Sequence, residues 1–357
     1  MDKRKVVYVC DVNNTTEFMT SRPVRALLDP LWEKYNVDFV TVQDQENLGM
    51  SFTQFAEKFE KTGPEWYTPP QKVLDAISDA EVILMNYVLA PKMFLDAAKQ
   101  CRLLLTTRGG VENVNVPYAT EKGIQVANSP FSNNFSVPDY TIALILAAVR
   151  RLFEIQLRPC GPDWDAAHAC AGRRMCDLKI GLLGFGTIAR SVAEKLQGFG
   201  CEVLVSDPFV PDETICAARC VPVTTQDLLA QADVVSVHVR LLPATRGMFT
   251  KDFFAQMKPT AWLVNTARSG LIDTQALLDA LRGKRIAGAA LDVFAKEPIP
   301  DDDPIWEAKN LLITPHISGQ MSLGYTRDKN VALFCEDLEN YAAGRPLARY
   351  VDRRIGY

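Results

Sequence analysis

The chain has 357 residues, of which 48% are hydrophobic and 23% are charged, so it has the composition of a folded protein and the length of two ordinary domains. Its formal net charge of −4 argues against the concentrated basic surface that nucleic acids and anionic membranes require. The longest apolar run, residues 142–149, is too short to span a bilayer. We therefore expect a cytoplasmic protein with neither nucleic-acid nor membrane partners.

The nine cysteines are scattered along the chain, and no two of them form a CxxC pair. Cys216 and Cys220 have the spacing of half a zinc site, but no second half with cysteine or histidine follows them. We expect no metal site. Reduced thiols in a cytoplasmic protein are the simpler interpretation of these cysteines.

The first third of the chain alternates short apolar runs with amphipathic stretches. The apolar runs predict buried parallel strands at residues 6–10, 37–42, 82–86 and 103–106. Helices are predicted between the strands at residues 22–35, 70–78 and 91–99, and the last two begin with a proline, which suits a first helical turn. Residues 45–68 have no strand pattern and are aromatic and charged, which indicates a helical insertion.

The second part of the chain opens with Pro138 and Asp139, which begin a long apolar helix predicted to run from residue 140 to about 157. A second strand–helix series starts at Leu178. Its predicted strands are residues 179–183, 202–206, 234–239, 261–265, 286–291 and 311–314. No further strand of this series follows the last helix, about 322–343, so this helix can return to the first domain.

This alternation of strands and helices predicts an α/β protein with parallel sheets. The six strands of the second series are the number of a full dinucleotide-binding sheet.

A glycine-rich turn follows the first strand of the second series. Gly184, Gly186 and Ala189 form a GxGxxA pattern between that strand and a helix. Gly184 permits a tight turn, Gly186 lets the backbone approach a pyrophosphate, and Ala189 lets the helix pack closely. Asp207 ends the next strand about 20 residues on, where a carboxylate accepts hydrogen bonds from a ribose and repels the 2′-phosphate of NADP. The pattern predicts NAD; the alternative is a glycine turn in a flavodoxin-like sheet with an aspartate by chance.

Three polar residues follow neighbouring strands of the same predicted sheet. Arg268 comes after one strand, Glu297 soon after the next, and His316 after the last. Because ligands collect at the carboxyl ends of parallel strands, we expect these side chains at one edge. The remaining histidines, His168 and His238, have no such neighbours, and we interpret His238 as structural.

At these residues the sequence resembles the D-isomer-specific 2-hydroxyacid dehydrogenases, a family that includes 3-phosphoglycerate dehydrogenase. The matching segments are GFGTIA at 184–189 with Asp207, VSVHV at 235–239, NTARSG at 265–270, LDVFAKEP at 291–298 and TPHISG at 314–319. Weaker matches are RGGVENVNV at 108–116 and the helix that starts VPDYTIALILA. The resemblance covers most of the chain beyond about residue 80.

The resemblance implies an NAD-dependent oxidoreductase that transfers hydride to or from C2 of a small 2-hydroxy or 2-keto acid. His316 is then the general acid–base, Glu297 orients its ring and favours the imidazolium, and Arg268 holds the substrate carboxylate and carbonyl. The backbone N–H groups of Gly109, Gly110 and Val111 would also bind the substrate carboxylate. The positions that match NAD-lining residues of the family are Gly184, Gly186, Thr187, Ile188, Asp207, Val239, Thr266, Ala267, Asp292 and Gly319.

The resemblance also implies the domain organisation. A Rossmann NAD-binding domain at 131–319 is inserted into a smaller, flavodoxin-like substrate domain at 1–130 and 320–357, with both domains doubly wound and the catalytic cleft between them. Members of the family are commonly homodimers that pair through the cofactor domain, so a homodimer is expected here.

Two departures from the family pattern bear on the substrate. Ser129, Pro130, Phe131, Ser132 and Asn133 stand where the family often has a basic residue, and Arg240 stands where many members have proline. If that missing basic residue recognises a phosphorylated substrate, phosphoglycerate is a candidate only.

Two other functions stay open at this point. NADH-sensing corepressors resemble the family and keep the histidine, glutamate and arginine, although they usually carry further disordered tails. A formate dehydrogenase is the other alternative, but that group typically pairs its histidine with glutamine, so Glu297 argues against it.

Overall fold

The computed structural model describes residues 3–12, 14–44, 49–50, 52–129, 136–152, 172–319 and 323–351. The chain divides into two compact units, Met1–Asn133 with Met321–Tyr357, and Asn134–Gln320. Each unit is built on its own parallel sheet. The fold class predicted from the sequence, two α/β domains with parallel sheets, is confirmed.

The elements are numbered here along the chain. The strands are β1 (Arg4–Cys10), β2 (Val37–Gln43), β3 (Val82–Met85), β4 (Leu103–Thr106), β5 (Gln125–Ala127), β6 (Lys179–Leu183), β7 (Glu202–Ser206), β8 (Val221–Pro222), β9 (Val234–Val237), β10 (Trp262–Asn265), β11 (Gly288–Leu291) and β12 (Leu311–Ile313). The helices are α1 (Thr16–Met19), α2 (Arg22–Lys34), α3 (Phe52–Thr62), α4 (Gln71–Ile77), α5 (Lys92–Ala97), α6 (Val116–Glu121), α7 (Ser136–Val149), α8 (Thr187–Leu196), α9 (Asp212–Ala217), α10 (Thr225–Gln231), α11 (Lys251–Gln256), α12 (Thr274–Arg282) and α13 (Leu323–Ala342).

The sheet of the first unit has the strand order β2-β1-β3-β4-β5, which is the order of a flavodoxin-like sheet. Strands β3 and β4 are fully buried, as their unbroken apolar sequences predict. Strand β2 is different, since each of its residues is partly or fully exposed. The prediction of a buried strand was wrong there because β2 lies at the edge of the sheet, where only one side has a neighbouring strand.

The three helices predicted between the strands of the first unit are present as α2, α4 and α5, with somewhat different ends. Pro70 and Pro91 lie at the N-cap positions of α4 and α5 and not in the first helical turn. The insertion after β2 is helical as expected, and its helix is α3. Strand β5 and helices α1 and α6 were not predicted, because three, four and six residues are too few to show a periodic pattern.

The sheet of the second unit has the order β12-β11-β10-β9-β6-β7-β8. Its strands follow the Rossmann arrangement, in which the chain reverses direction across the sheet beside β6. Six strands are predicted from the sequence; the seventh, β8, is a two-residue strand at the sheet edge that was not predicted. Helix α7 ends at Val149, earlier than the predicted residue 157, which lies outside the described residues.

Helix α13 packs on the first unit, as the sequence analysis expected of the last helix. Its apolar residues Val331, Phe334 and Leu338 join the buried cluster that contains Tyr8 and Leu28. Burial of each such side chain contributes roughly 1.5–3 kcal/mol to the free energy of unfolding. Within the described ranges, each helix is too short or too polar to cross a membrane.

Candidate active site

The glycine turn between β6 and α8 brings the backbone close to the end of β9. Gly184 has φ +91°, which side chains rarely adopt, and a Cβ there would lie 2.9 Å from the carbonyl carbon and oxygen of His238. Both observations require glycine at this position. Ala189, one turn into α8, is fully buried in the core beside the strand.

The N-terminus of α8 has the features of a phosphate site. The backbone N–H groups of Gly186, Thr187 and Ile188 donate to no acceptor in the described part of the chain. A Cβ added at Gly186 would meet nothing within 4 Å, so the approach to these groups is open. Unpaired N–H groups and the helix dipole together favour an anion, so this turn fits the pyrophosphate of a dinucleotide.

Asp207 connects the end of β7 to this turn. Its Oδ2 accepts a hydrogen bond from the backbone N–H of Phe185 at 2.7 Å, and its Oδ1 accepts one from the N–H of Phe209 at 2.9 Å. Each carboxylate oxygen has a second lone pair, so both can still accept a ribose hydroxyl. No basic side chain pairs with Asp207 among the described residues. The residue therefore fits the ribose of NAD better than the phosphorylated ribose of NADP.

Arg268 is presented by a short turn after β10. The fully buried Asn265 side chain donates to the carbonyl of Arg268 at 3.0 Å and accepts from the N–H of Ala267 at 2.9 Å. The Arg268 side chain itself is exposed, with one hydrogen bond from Nη1 to the Ala267 carbonyl. Its remaining donors are available for a carboxylate or carbonyl ligand.

Asp292, at the end of β11, holds the loop that carries His316. Its side chain is fully buried and accepts three hydrogen bonds, from the Thr314 hydroxyl at 2.6 Å and from the N–H groups of Ile317 and Ser318 at 3.0 and 2.8 Å. A buried carboxylate with this many donors ties the loop firmly to the sheet. The family resemblance predicts that Asp292 lies near the nicotinamide. In this structure its two oxygens accept hydrogen bonds from the loop that carries His316.

His316 and Glu297 form a close pair at the same sheet edge. Nδ1 of His316 lies 2.6 Å from Oε2 of Glu297, and Oε1 of Glu297 accepts from the N–H of Phe294 at 2.8 Å. The glutamate side chain is 15% exposed and the histidine side chain 40% exposed. His316 also has φ +53°, an uncommon backbone conformation that is concentrated at functional sites.

The surroundings of His316 favour its protonated form. The hydrogen bond that His316 Nδ1–H donates to Glu297 raises the pKa of His316 above its ordinary value of 6.5, and burial and the charge of Arg268 oppose this only in part. Nε2 makes no hydrogen bond to a described residue, so it is available to a ligand. The ring can therefore carry a proton on Nε2 and pass it to a ligand.

In the first unit, the turn after β4 also presents unpaired backbone donors. The N–H groups of Gly109, Gly110 and Val111 have no acceptor in the part of the chain that the structure describes. The turn is held from its other side, because Asn128 donates to the Gly109 carbonyl at 2.7 Å and the Ser129 N–H donates to the Arg108 carbonyl at 2.8 Å. Three adjacent free N–H groups suit a carboxylate ligand.

Comparison with known proteins gives the same family for this arrangement. Residues 142–318 match the family model described as D-isomer specific 2-hydroxyacid dehydrogenase, NAD binding domain. A glyoxylate reductase of Korarchaeum cryptofilum is 31% identical over 294 residues, which cover 80% of this chain and 88% of that protein. The chain belongs to the D-isomer-specific 2-hydroxyacid dehydrogenase family.

Other members of the family are similar over part of their length. The D-3-phosphoglycerate dehydrogenase of Mycobacterium leprae is 34% identical over 255 residues, which cover 71% of this chain and 48% of that protein. The chain thus spans about half the length of that relative. Among solved structures, the TT0316 protein of Thermus thermophilus aligns with a TM-score of 0.69 and 26% identity, over 97% of this chain and 100% of that one.

The family histidine, glutamate and arginine are brought to one sheet edge, and the other histidines are not. His238 contacts the hydroxyl of Ser236 at 2.9 Å, and burial lowers the pKa of His238 to about 4. It is therefore neutral at physiological pH, consistent with the structural interpretation. His168 and residues 130–133 lie outside the described residues. Sequence reasoning missed the positioning roles of Asn265 and Asp292, because hydrogen bonds to backbone N–H groups leave no pattern in a sequence.

An Asp207→Ala variant tests the nucleotide preference of this family member. Loss of a carboxylate that accepts from a ribose hydroxyl costs about 1.5–3 kcal/mol, so affinity for NADH should fall roughly 10- to 100-fold. Affinity for NADPH should fall less or rise, because the repulsion of its 2′-phosphate is also removed. Both dissociation constants can be measured by nicotinamide fluorescence, with exposed Asp212→Ala as the control. An unchanged ratio of the two constants would contradict the assignment.

A Glu297→Gln variant is expected to lower the pKa of His316, because it removes the largest cause of the upward shift. The measurement is an NMR titration of the His316 ring in both proteins, with Glu307→Gln as an exposed control. The raised pKa also means that the pair stabilises the fold below pH 6.5 and that this stabilisation is lost as pH rises through the folded-state pKa. Equal titration midpoints in the wild type and Glu297→Gln would refute the assigned cause.

Proposed function

We propose that this chain catalyses the NAD-dependent interconversion of a small 2-keto acid and its D-2-hydroxy acid. The observation that carries the proposal is the His316–Glu297 pair, 2.6 Å apart, at the carboxyl edge of a dinucleotide-binding sheet. A histidine with a raised pKa and a free Nε2 is the group that a carbonyl reduction needs for its proton.

His316 moves the proton at the substrate oxygen on C2. In reduction, protonated Nε2 donates to the carbonyl oxygen as hydride reaches C2; in oxidation, the neutral ring takes the hydroxyl proton. Bound nicotinamide supplies or accepts the hydride. Glu297 keeps Nδ1 protonated and stabilises the imidazolium, so the proton in transit is the one on Nε2.

Two groups of donors bind the substrate in this proposal. Arg268 makes charge-assisted hydrogen bonds to the substrate carboxylate and carbonyl oxygens, which also polarises the carbonyl for hydride attack. The N–H groups of Gly109, Gly110 and Val111 bind the carboxylate. Each group is supported by its own geometry, the Asn265 turn for Arg268 and the unpaired N–H groups for the glycines.

The chain also divides into two proposed domains, one of which binds NAD. We assign residues 131–319 as the NAD-binding domain and residues 1–130 with 320–357 as the substrate domain. The residues assigned to NAD are Gly184, Gly186, Thr187, Ile188, Asp207, Val239, Thr266, Ala267, Asp292 and Gly319. Thr266 is positioned by a hydrogen bond of 2.9 Å to the Thr141 hydroxyl. Because Asp292 is fully buried, we assign it to the support of the nicotinamide end of the site through the loop that it holds.

The experiment that tests the proposed function is a panel of 2-keto acids with NADH, followed by the loss of NADH absorbance. We expect turnover with glyoxylate, hydroxypyruvate, pyruvate or phosphohydroxypyruvate. NADH formation from formate would favour a formate dehydrogenase instead. NADH binding without turnover on the whole panel would favour a corepressor-like sensor.

We also propose that the protein is a homodimer, as is common in this family. Light scattering of the purified chain during size-exclusion chromatography measures its mass directly. A mass of one chain at micromolar concentration would refute the dimer.

A further inference from the structure

Arg108 lies beside the substrate turn and is almost fully buried between two aromatic rings. Its guanidinium carbon is 4.5 Å from the centre of the Phe59 ring, on α3, and 4.7 Å from the centre of the Tyr87 ring, in the loop after β3. The residue is 8% exposed. Arg108 directly precedes Gly109, so this cation–π sandwich joins the inserted helix to the proposed carboxylate-binding turn.

The guanidinium group of Arg108 already lies close to two carboxylates. Nη2 donates to Oε1 of Glu60 at 2.8 Å and lies 3.8 Å from Oε2 of Glu112. Nε and Nη1 are buried and find no hydrogen-bond partner in the described part of the chain. Since these atoms are shielded from solvent, an anionic ligand cannot reach Arg108 without displacing the surrounding side chains.

Glu112 lies directly over the turn itself. A Cβ built on Gly110 would overlap Oε2 of Glu112, so the carboxylate covers that residue. The turn therefore offers N–H donors for one carboxylate. Arg108 offsets only one of the two negative charges beside it, so Arg108, Glu60 and Glu112 together keep a formal charge of −1 (+1 − 2). A second anionic group on the substrate would be repelled there.

The inserted segment contains more acidic than basic residues. Residues 44–57 contain no lysine or arginine and include three acids. The next basic residues, Lys58 and Lys61, are exposed, and Lys58 lies 3.7 Å over the Trp66 ring. Among the described contacts, the cation nearest the turn is therefore Arg108, which is buried and already paired with Glu60 and Glu112.

The same segment contributes to an apolar, aromatic cluster whose outer members are only partly buried. Phe59, Tyr67 and Leu89 form a buried cluster. Packed against it are Phe55, Ala56, Trp66 and Tyr87. Phe55 meets Phe59 and Trp66 edge to face, with ring centres 5.3 and 6.1 Å apart. Such a cluster next to the carboxylate-binding turn suits an apolar group better than a charged one.

We propose that this chain selects 2-keto acids with a single negative charge and an uncharged, apolar tail, and that helix α3, held through Arg108, is the element that selects them. The inference rests on the proposed function and deepens it. It excludes phosphorylated and dicarboxylic acids as preferred substrates.

The first test compares kcat/KM for pyruvate and 4-methyl-2-oxopentanoate with that for oxaloacetate and phosphohydroxypyruvate, each with NADH. We expect the two monoanionic acids to exceed both multiply charged acids by at least about tenfold. A higher kcat/KM for oxaloacetate or phosphohydroxypyruvate would overturn this inference and leave the proposed function intact. Absence of turnover with all four acids, together with the broader panel, would overturn both.

The second test removes one negative charge at a time with Glu112→Gln and Glu60→Gln. Either change should raise the ratio of kcat/KM for oxaloacetate to that for pyruvate by about tenfold, because a dianion gains more than a monoanion from the lost repulsion. The exposed Glu17→Gln is the matched control and should leave the ratio unchanged. The ratio is read only from variants with a wild-type circular dichroism spectrum. An unchanged ratio in a folded Glu112→Gln or Glu60→Gln protein would refute the proposal.

Discussion

His316→Gln is expected to lower kcat for 2-keto acid reduction by about 10²- to 10⁴-fold, the range that general acid–base catalysis contributes. Glutamine has a similar length and can still contact Glu297, but it carries no proton that titrates near neutral pH. The loop should keep its position, because Asp292 holds it through Thr314, Ile317 and Ser318. NADH binding should therefore stay close to that of the wild type.

Two measurements separate this chemical role from a structural one. NADH affinity is measured by fluorescence in the same preparations, and His238→Gln serves as the matched control. His238 is neutral at physiological pH and contacts Ser236, so its replacement should retain most of the turnover. Full activity of His316→Gln, or loss of its NADH binding, would count against His316 as the proton donor.

Arg349→Ala is expected to reduce the free energy of unfolding by about 3–5 kcal/mol, because it leaves a buried carboxylate without its partner. Arg349 and Asp337 have side chains that are 5% and 2% exposed, and Nε donates to Oδ2 of Asp337 at 2.8 Å. Nη2 also donates to the carbonyl of Leu333, on the same helix α13. Burial raises the pKa of Asp337 even though Arg349 opposes it, which shows how far this carboxyl group is removed from water.

Arg349→Ala should also weaken backbone contacts outside this ion pair. The carbonyl of Arg349 accepts from the N–H of Asn128, and Val351 donates to Val126, so this arginine fixes a segment that pairs with β5. Chemical denaturation monitored by circular dichroism gives the difference in stability. Arg345→Ala, an exposed arginine that bonds only to Asn340 in the described structure, should change stability by less than about 0.5 kcal/mol. Similar stabilities for the two variants would contradict the account.

The placement of the polar residues that follow the strands was the most predictable feature of this molecule. Parallel strands end at a common edge, so Arg268, Glu297 and His316 could be expected on one edge from their places after successive strands. Their spacing in the chain is also part of a family pattern. The GxGxxA turn was also predictable, because the φ of +91° at Gly184 requires glycine.

Features that depend on tertiary contacts were not predictable. The edge position of β2 decides its exposure, and no feature of its seven residues reveals which strands neighbour it. Strand β8 is too short to leave a pattern. The burial of Arg108 and Arg349 depends on the fold. Phe59 and Glu60, which contact Arg108, belong to an insertion, and Asp337, which accepts from Arg349, lies 12 residues earlier on α13. Each arginine therefore looks in the sequence like an ordinary surface charge.

Hydride transfer from the nicotinamide to C2 can be measured directly with deuterium-labelled NADH. NADH that carries deuterium in the transferred position is incubated with the chain and a 2-keto acid that it turns over, in ordinary water. The expected product is a 2-hydroxy acid of D configuration with one deuterium at C2, detected by mass spectrometry and by NMR. A product that carries solvent hydrogen at C2, or an L product, would contradict this expectation.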